Sequence, residues 1–290
     1  MRAAVLREGG ALSVEEVPDP AGDVVDVRAA GINFADVLIR RGLYPQMPEL
    51  PYVPGNEVAG EINGHRVAAF VDGGFAERAP VRWSVDLPEH ATFAQGAAFL
   101  TTYLTAYIPY AQRTYTDSVL VHAGSGGVGT AAIQLGKVEG ATVYATASTE
   151  EKRAFALKAG ADEVRGYDEI DDLRVDLVID PVGGDVFTRS LPLLNPLGTI
   201  AAIGFAGGLW QDPSVQWLVG RNASVMGVYL GRLMKHEPDL VQQYANELLA
   251  VWRDGDIEPI VGATFPLDRV DDALASIEQR QHMGKVVLEP

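Results

Sequence analysis

Ser118-Val119-Leu120-Val121-His122-Ala123-Gly124-Ser125-Gly126-Gly127-Val128-Gly129, running on into Thr130-Ala131-Ala132-Ile133-Gln134-Leu135, decides the fold of this chain. Apolar and β-branched residues make a buried strand, glycines turn the backbone sharply, and an Ala-rich run of helical period takes over. Such a turn can hold a pyrophosphate. A helix N-terminus offers free N–H groups and the positive end of its dipole, and Gly126 and Gly127 carry no Cβ to keep a phosphate away. A glycine-rich turn also serves simply to pack a helix on a sheet, so context has to separate the two readings. A second strand, Ala141 to Ala147, follows the Gly140 stop and completes a βαβ unit of roughly 30 residues. Nucleotide binding is the reading that follows.

With 290 residues, 47% of them hydrophobic, the chain can fill two cores, and two domains are expected. Its 39 acidic against 23 basic residues leave a formal charge of −16, which repels a phosphate backbone and disfavours nucleic acid as a partner. There is no cysteine, so neither a disulfide nor a thiolate zinc site can form, and a reducing compartment is allowed. No apolar run reaches the roughly 18 residues of a membrane span. Met1–Glu8 lacks the apolar segment and cleavage site of a signal peptide, and a cytoplasmic protein is expected.

Residues up to about 90 read as short strands broken by Pro and Gly: Ala3–Leu6, Leu12–Val17, Asp23–Ala30, Val58–Ile62, His65–Phe70 and Gly74–Ala79. That spacing predicts a small antiparallel barrel or sandwich. One helix, Ala35–Arg40, interrupts them, with Asn33 as N-cap, Asp36 at N3 and Gly42 as its stop. Pro45, Pro48, Pro51 and Pro54 mark an extended loop. A helical run from Ala94 through Ala111 leads into the opening stretch. Beyond it come a helix at Glu150–Ala159, strands near Glu163–Arg165 and Val175–Asp180, a helix at Asp185–Leu194, a strand at Thr199–Ile203, a short helix near Pro213–Val219 and a strand at Ser224–Tyr229. Alternation of this kind gives a doubly wound parallel sheet, closed by a helix at Pro238–Trp252. Short strands return at Ile257–Val261 and Lys285–Leu288 around a helix at Asp268–Arg280. The expected fold is α/β, with a dinucleotide-binding domain over residues 94–255 inserted in a smaller, mainly β domain made of residues 1–93 and 256–290.

Several segments in order resemble the medium-chain dehydrogenase/reductase superfamily and, within it, the zinc-free quinone oxidoreductases similar to zeta-crystallin. They are Ala30-Gly31-Ile32-Asn33-Phe34-Ala35-Asp36-Val37 with Gly42-Leu43-Tyr44-Pro45, Pro54-Gly55-Asn56-Glu57-Val58-Ala59-Gly60, Gly73-Gly74-Phe75-Ala76-Glu77, Thr105-Ala106-Tyr107, the turn Ala123–Gly129, Asp180-Pro181-Val182-Gly183-Gly184 and Gly284-Lys285-Val286-Val287-Leu288. The resemblance spans nearly the whole chain. It implies a Rossmann sheet in a GroES-like barrel domain, with cofactor contacts from Ser125, Gly126, Gly127 and Val128. Zinc-dependent relatives carry His within a Gly-His-Glu motif and cysteines elsewhere, whereas Asn56 stands here and the five histidines show no ligand spacing. The metal route to polarising a carbonyl is therefore closed. The connection Glu61-Ile62-Asn63-Gly64-His65 is also shorter than the family usually has.

An NAD enzyme places Asp or Glu at the end of the second strand, to accept the ribose 2′-hydroxyl. This chain has Ala145-Thr146-Ala147-Ser148-Thr149, so NADPH is expected, with Ser148 and Lys152 able to hold its 2′-phosphate. Equally, Ser148 can cap the next helix while Lys152 is solvated, and both readings can hold together. By resemblance, Tyr167 contacts that phosphate, Thr105 lies near the nicotinamide, and Asn33 lies beside nicotinamide and substrate. Taken by themselves, Thr105 satisfies a helix carbonyl and Asn33 is a cap, though an amide can also donate to a carbonyl oxygen. Tyr44 matches the proton-donating tyrosine of related enoyl-thioester reductases; otherwise it is a packed loop aromatic. Phe205, at the carboxyl edge of the sheet, flanks the nicotinamide in the functional reading. Asp36 reads as a helix-start charge, and His122 as a core histidine. Arg280 and Lys285 each stand as candidates for the cofactor phosphates.

The expectation is an NADPH-dependent reductase without metal, passing hydride to a quinone or another α,β-unsaturated carbonyl in the cleft between the domains. Asn33 and Tyr44 are its candidate catalytic residues. Loss of zinc argues against alcohol oxidation, since an alkoxide would lack its Lewis acid. A 2-enoyl-thioester or alkene reductase is the first alternative, and a non-catalytic NADPH-binding sensor module the second. The apolar strand at 223–229 lies at one edge of the sheet, a liability unless paired. A homodimer joined across it is expected, as the resemblance also implies.

Overall fold

The computed structural model describes residues 1–113 and 116–290. They divide into two units, Met1–Thr101 with Pro259–Pro290, and Thr102–Glu258. The chain begins with strands β1 (Arg2–Leu6), β2 (Leu12–Glu16) and β3 (Val24–Ile32), helix α1 (Phe34–Arg40), strands β4 (Glu57–Ile62), β5 (His65–Val71) and β6 (Arg78–Asp86), and helix α2 (Phe93–Gly96). After helix α3 (Leu100–Ala111) come β7 (Ser118–Val121), α4 (Gly127–Val138), β8 (Thr142–Thr146), α5 (Glu150–Lys158), β9 (Glu163–Arg165) and β10 (Val175–Asp180). Next are α6 (Gly184–Ser190), β11 (Leu194–Ala202), α7 (Val215–Arg221), β12 (Ser224–Gly227), α8 (Leu230–His236) and α9 (Pro238–Asp254). Strand β13 (Val261–Pro266), helix α10 (Val270–Glu278) and strand β14 (Lys285–Glu289) finish the chain.

In the first unit the strands run β13-β14-β3-β4-β5-β6, and β3 pairs a second time, through Val24–Asp26, with β6. That extra pairing closes β3, β4, β5 and β6 into a barrel, with β14 and β13 carried on from β3 and β13 left at the edge. Along β3, Val25 and Val27 point inward and Asp26 and Arg28 outward, whereas everything from Ala29 to Ile32 is buried. The inner face packs with Val58, Val67 and Phe75 and with Leu274 and Ile277 of α10. Gly31 has to be glycine, because a Cβ there would stand 2.1 Å from the Ala97 carbonyl oxygen and 2.8 Å from Glu57 Oε1.

The second unit holds a parallel sheet in the order β12-β11-β10-β7-β8-β9, the doubly wound arrangement expected from the alternation. Strand order reverses between β7 and β10, and ligands of such sheets bind outside the carboxyl ends of the strands there. The turn Ala123–Gly126 leaves β7 at that end. Leu120, Val178, Ile200, Phe187 and Leu193 form one apolar cluster of this unit.

Some elements differ from the sequence reading. The run from Ala94 to Ala111 is two helices, because the N–H groups of Ala98 and Phe99 bond back three residues to Gln95 and Gly96 and tighten the chain between them. The stretch read as a strand at Gly74–Ala79 is largely a turn, with Gly74 and Phe75 donating to the carbonyls of Gly55 and Pro54; the strand begins at Arg78. Strand β13 starts at Val261, where Ile257–Val261 was expected. Helix α8 has no counterpart in the reading.

Candidate functional site

The nucleotide cradle of the second unit is built from three glycines with different duties. Gly124 lies under β8, since a Cβ there would come 2.9 Å from the Ala145 methyl. Gly129 lets α4 approach the strand, because its Cβ would fall 2.2 Å from the Ala123 carbonyl oxygen. Gly126 is the N-cap of α4, has no side chain to cap with, and leaves space where a bulkier residue would stand. The N–H of Gly126 is used on Ala123 and that of Thr130 on Gly126, at 2.9 and 2.8 Å. Among the described residues, the N–H groups of Gly127, Val128 and Gly129 have no partner and point out of the helix end, which favours an anion. Ser125 is buried beside them, while Gly127 and Val128 are partly open.

At the end of β8 the chain reads Thr146-Ala147-Ser148-Thr149, with no carboxylate. Thr149, one residue beyond the expected cap, takes the N–H of Lys152 at 3.2 Å and caps α5. Ser148 is thereby relieved of capping and is exposed, and Lys152 is half-buried in the first turn of α5. Tyr167 stacks its ring on His122 at 5.9 Å. His122 is the core histidine the sequence indicated: it is fully buried, bonds Thr146 at 2.8 Å and Ser190 at 2.7 Å, and burial pushes it down to about 3, so it stays neutral. Phe205 tilts against Trp210 at 4.7 Å, just beyond β11. Thr105 is buried on α3, and its hydroxyl makes no bond to a helix carbonyl among the described residues.

The first unit holds a buried polar cluster at the start of α1, β4 and β14. Lys285 and Glu57 form an ion pair with side chains only 4% and 1% exposed. Lys285 also donates to Asn33 Oδ1 at 2.6 Å. Asn33 Nδ2 donates to Glu57 Oε1 and to Asn56 Oδ1, each at 3.0 Å, and Glu57 Oε2 accepts the Thr101 N–H at 2.8 Å. Asp36 accepts the Asn33 N–H at 2.8 Å, so the α1 cap is made by the carboxylate while the Asn33 side chain turns into the cluster. Burial raises the Asp36 carboxyl to about 6, against the pull of its bonds to Asn33 and Gly55 and of the Lys285 charge.

Of the two catalytic candidates, Asn33 is therefore at the centre of this cluster, with both its side-chain N–H groups used inside it. Tyr44 is half-buried on the loop after α1. Lys285 is consumed by Glu57 and Asn33, and Arg280 is exposed at the end of α10. Glu57 and Asn56 were not singled out by sequence as site residues. The available signal was a charge set in an apolar strand at each end, Asn56-Glu57-Val58-Ala59 and Lys285-Val286-Val287-Leu288, where only pairing makes burial tolerable.

Family comparison agrees with this arrangement. Residues 20–81 match the model of the alcohol dehydrogenase GroES-like domain, and residues 159–288 match the model of zinc-binding dehydrogenases. The rat synaptic vesicle membrane protein VAT-1 homolog is 33% identical, over 96% of this chain and 79% of its own length. Human quinone oxidoreductase is 34% identical, over 90% of this chain and 86% of its own. The quinone oxidoreductase of Thermus thermophilus, solved alone and with NADPH, superposes with a TM-score of 0.90 at 36% identity, each chain fully covered. Among the described residues no helix is long and apolar enough to cross a membrane. The chain thus belongs to the quinone oxidoreductase-like family of medium-chain dehydrogenase/reductases.

Proposed function

We propose that this protein is an NADPH-dependent reductase of quinones or other α,β-unsaturated carbonyls, that it works without a metal, and that it acts as a cytoplasmic homodimer. The observation that carries the reading is the trio of unpartnered N–H groups at Gly127, Val128 and Gly129, beside a β8 end that has no carboxylate. The residues present fit the cofactor: the uncapped α4 terminus receives the pyrophosphate, and exposed Ser148 with Lys152 receives the 2′-phosphate. Tyr167, Thr105 and Phe205 border the same ligand in this reading. When bound, NADPH supplies the hydride. The chain's own residues anchor its phosphates, orient the acceptor oxygen and keep water away. Tyr44 is the residue we assign to protonating the reduced acceptor, a task a phenol can perform.

Metal independence is supported by the absence of cysteine and by the lack, among the described residues, of any cluster of three His, Asp or Glu side chains able to hold an ion. The homodimer is supported by β12, which stands at the open edge of the parallel sheet next to exposed Val215, Val219 and Tyr229. Light scattering reads it directly: a mass of two chains is expected, and a single-chain mass refutes the dimer. For the activity, NADPH oxidation is followed with a quinone, an enone and an enoyl thioester, in the presence of a chelator. Turnover with the first two supports the reading, and turnover with the thioester alone makes the protein an enoyl-thioester reductase.

A further inference from the structure

The buried cluster of the first unit fixes the direction of two amides, and the end of that chain of bonds is a donor. Lys285 has only N–H bonds to give, so the Asn33 atom facing it must be oxygen. Glu57, an acceptor, then faces the Asn33 nitrogen, whose other hydrogen goes to Asn56. Asn56 must turn its oxygen toward Asn33, which leaves its Nδ2 facing away. Among the described residues that nitrogen has no partner, and Asn56 is partly open while Asn33, Glu57 and Lys285 are bonded behind it. Consecutive donor-to-acceptor bonds polarise one another, so the positive charge of Lys285 strengthens the last N–H of the series. Glu57 brings no uncompensated negative charge, because Lys285 pairs with it. The outer end of the cluster is a fixed, neutral donor whose complement is an oxygen that only accepts.

Resting on the reductase reading above, the geometry points to Asn56 as the residue that donates a hydrogen bond to the carbonyl oxygen of the acceptor, with Asn33 and Lys285 as positioning residues that aim it. The test uses Asn56→Ala and Asn56→Asp, the second keeping an oxygen for Asn33 and replacing the outward donor by an acceptor. Both are compared with the wild-type chain in NADPH affinity, in kcat/KM with a quinone, and in the infrared stretch of carbonyl-labelled cyclohexenone bound to the protein. Loss of a donor aimed at developing charge costs on the order of 100-fold. We expect that loss in kcat/KM for both variants, NADPH affinity within twofold of wild type, and a bound carbonyl stretch lowered in the wild-type chain but not in the variants. Variants that fold, turn over within threefold of wild type and leave the stretch unchanged overturn the assignment alone. A wild-type chain that oxidises NADPH with neither quinone nor enone overturns the reductase reading and this assignment with it.

Discussion

Lys285 and Asn33, 252 residues apart in sequence, meet at 2.6 Å, and the ammonium that makes this bond also neutralises Glu57. Such a pair is expensive to break from one side, since the partner left behind is a buried charge. Lys285→Met is expected to destabilise the protein by about 3–5 kcal/mol. Adding Glu57→Gln removes the stranded charge and should recover much of that loss. Denaturant unfolding of the two single variants and the double variant checks the coupling.

Asp36 gives the cluster a pH dependence of defined sign. Its carboxyl, buried and raised from 3.8 to about 6, binds its proton more tightly folded than unfolded. Its contribution to stability is therefore greatest below the unfolded value and declines as pH rises through about 6. A shift of this size is worth about 3 kcal/mol. Measured against Asp36→Asn, wild-type stability should fall by about that amount between pH of about 4 and about 7. A difference that is flat with pH would contradict the burial described.

Gly129→Ala places a methyl 2.2 Å from the Ala123 carbonyl oxygen, which is backbone and cannot swing away. Helix α4 must shift off β7. The expected result is a loss of about 1–3 kcal/mol in unfolding stability and NADPH binding weakened by roughly tenfold or more, read by fluorescence titration.

Ser148→Asp puts a carboxylate where the end of β8 now has none. It should repel a 2′-phosphate and accept a 2′-hydroxyl, moving the NADPH-to-NADH ratio of kcat/KM by about tenfold or more toward NADH. An unchanged ratio would place 2′-phosphate recognition elsewhere.

What sequence could show here followed range. The β7–turn–α4 segment is local, its glycines and apolar run adjacent, and the doubly wound sheet was legible from it. The cap of α5 lay one residue away from the expected Ser148 because Ser and Thr are both favoured caps and nothing local chooses between adjacent ones. The break between α2 and α3 rests on the tightened bonds of Ala98 and Phe99 to Gln95 and Gly96, and the late start of β6 on the bonds of Gly74 and Phe75 to Gly55 and Pro54, none of which a helical or strand period encodes. The polar cluster was hidden for the same reason. Asp36 reads locally as a helix-start charge and Lys285 as a candidate for the cofactor phosphates, and only the barrel pairing of β14 with β3 brings Lys285 to Glu57 and Asn33.

Reduction of a conjugated carbonyl with NADPH is the proposed activity of this protein. Its most direct test is the steady-state oxidation of NADPH and of NADH by the purified wild-type chain with a quinone, in chelator. Turnover that persists in chelator and favours NADPH by about tenfold or more is expected. Tight binding of NADPH without its oxidation by any quinone or enone would contradict the proposed activity and leave a cofactor-binding protein in place of an enzyme.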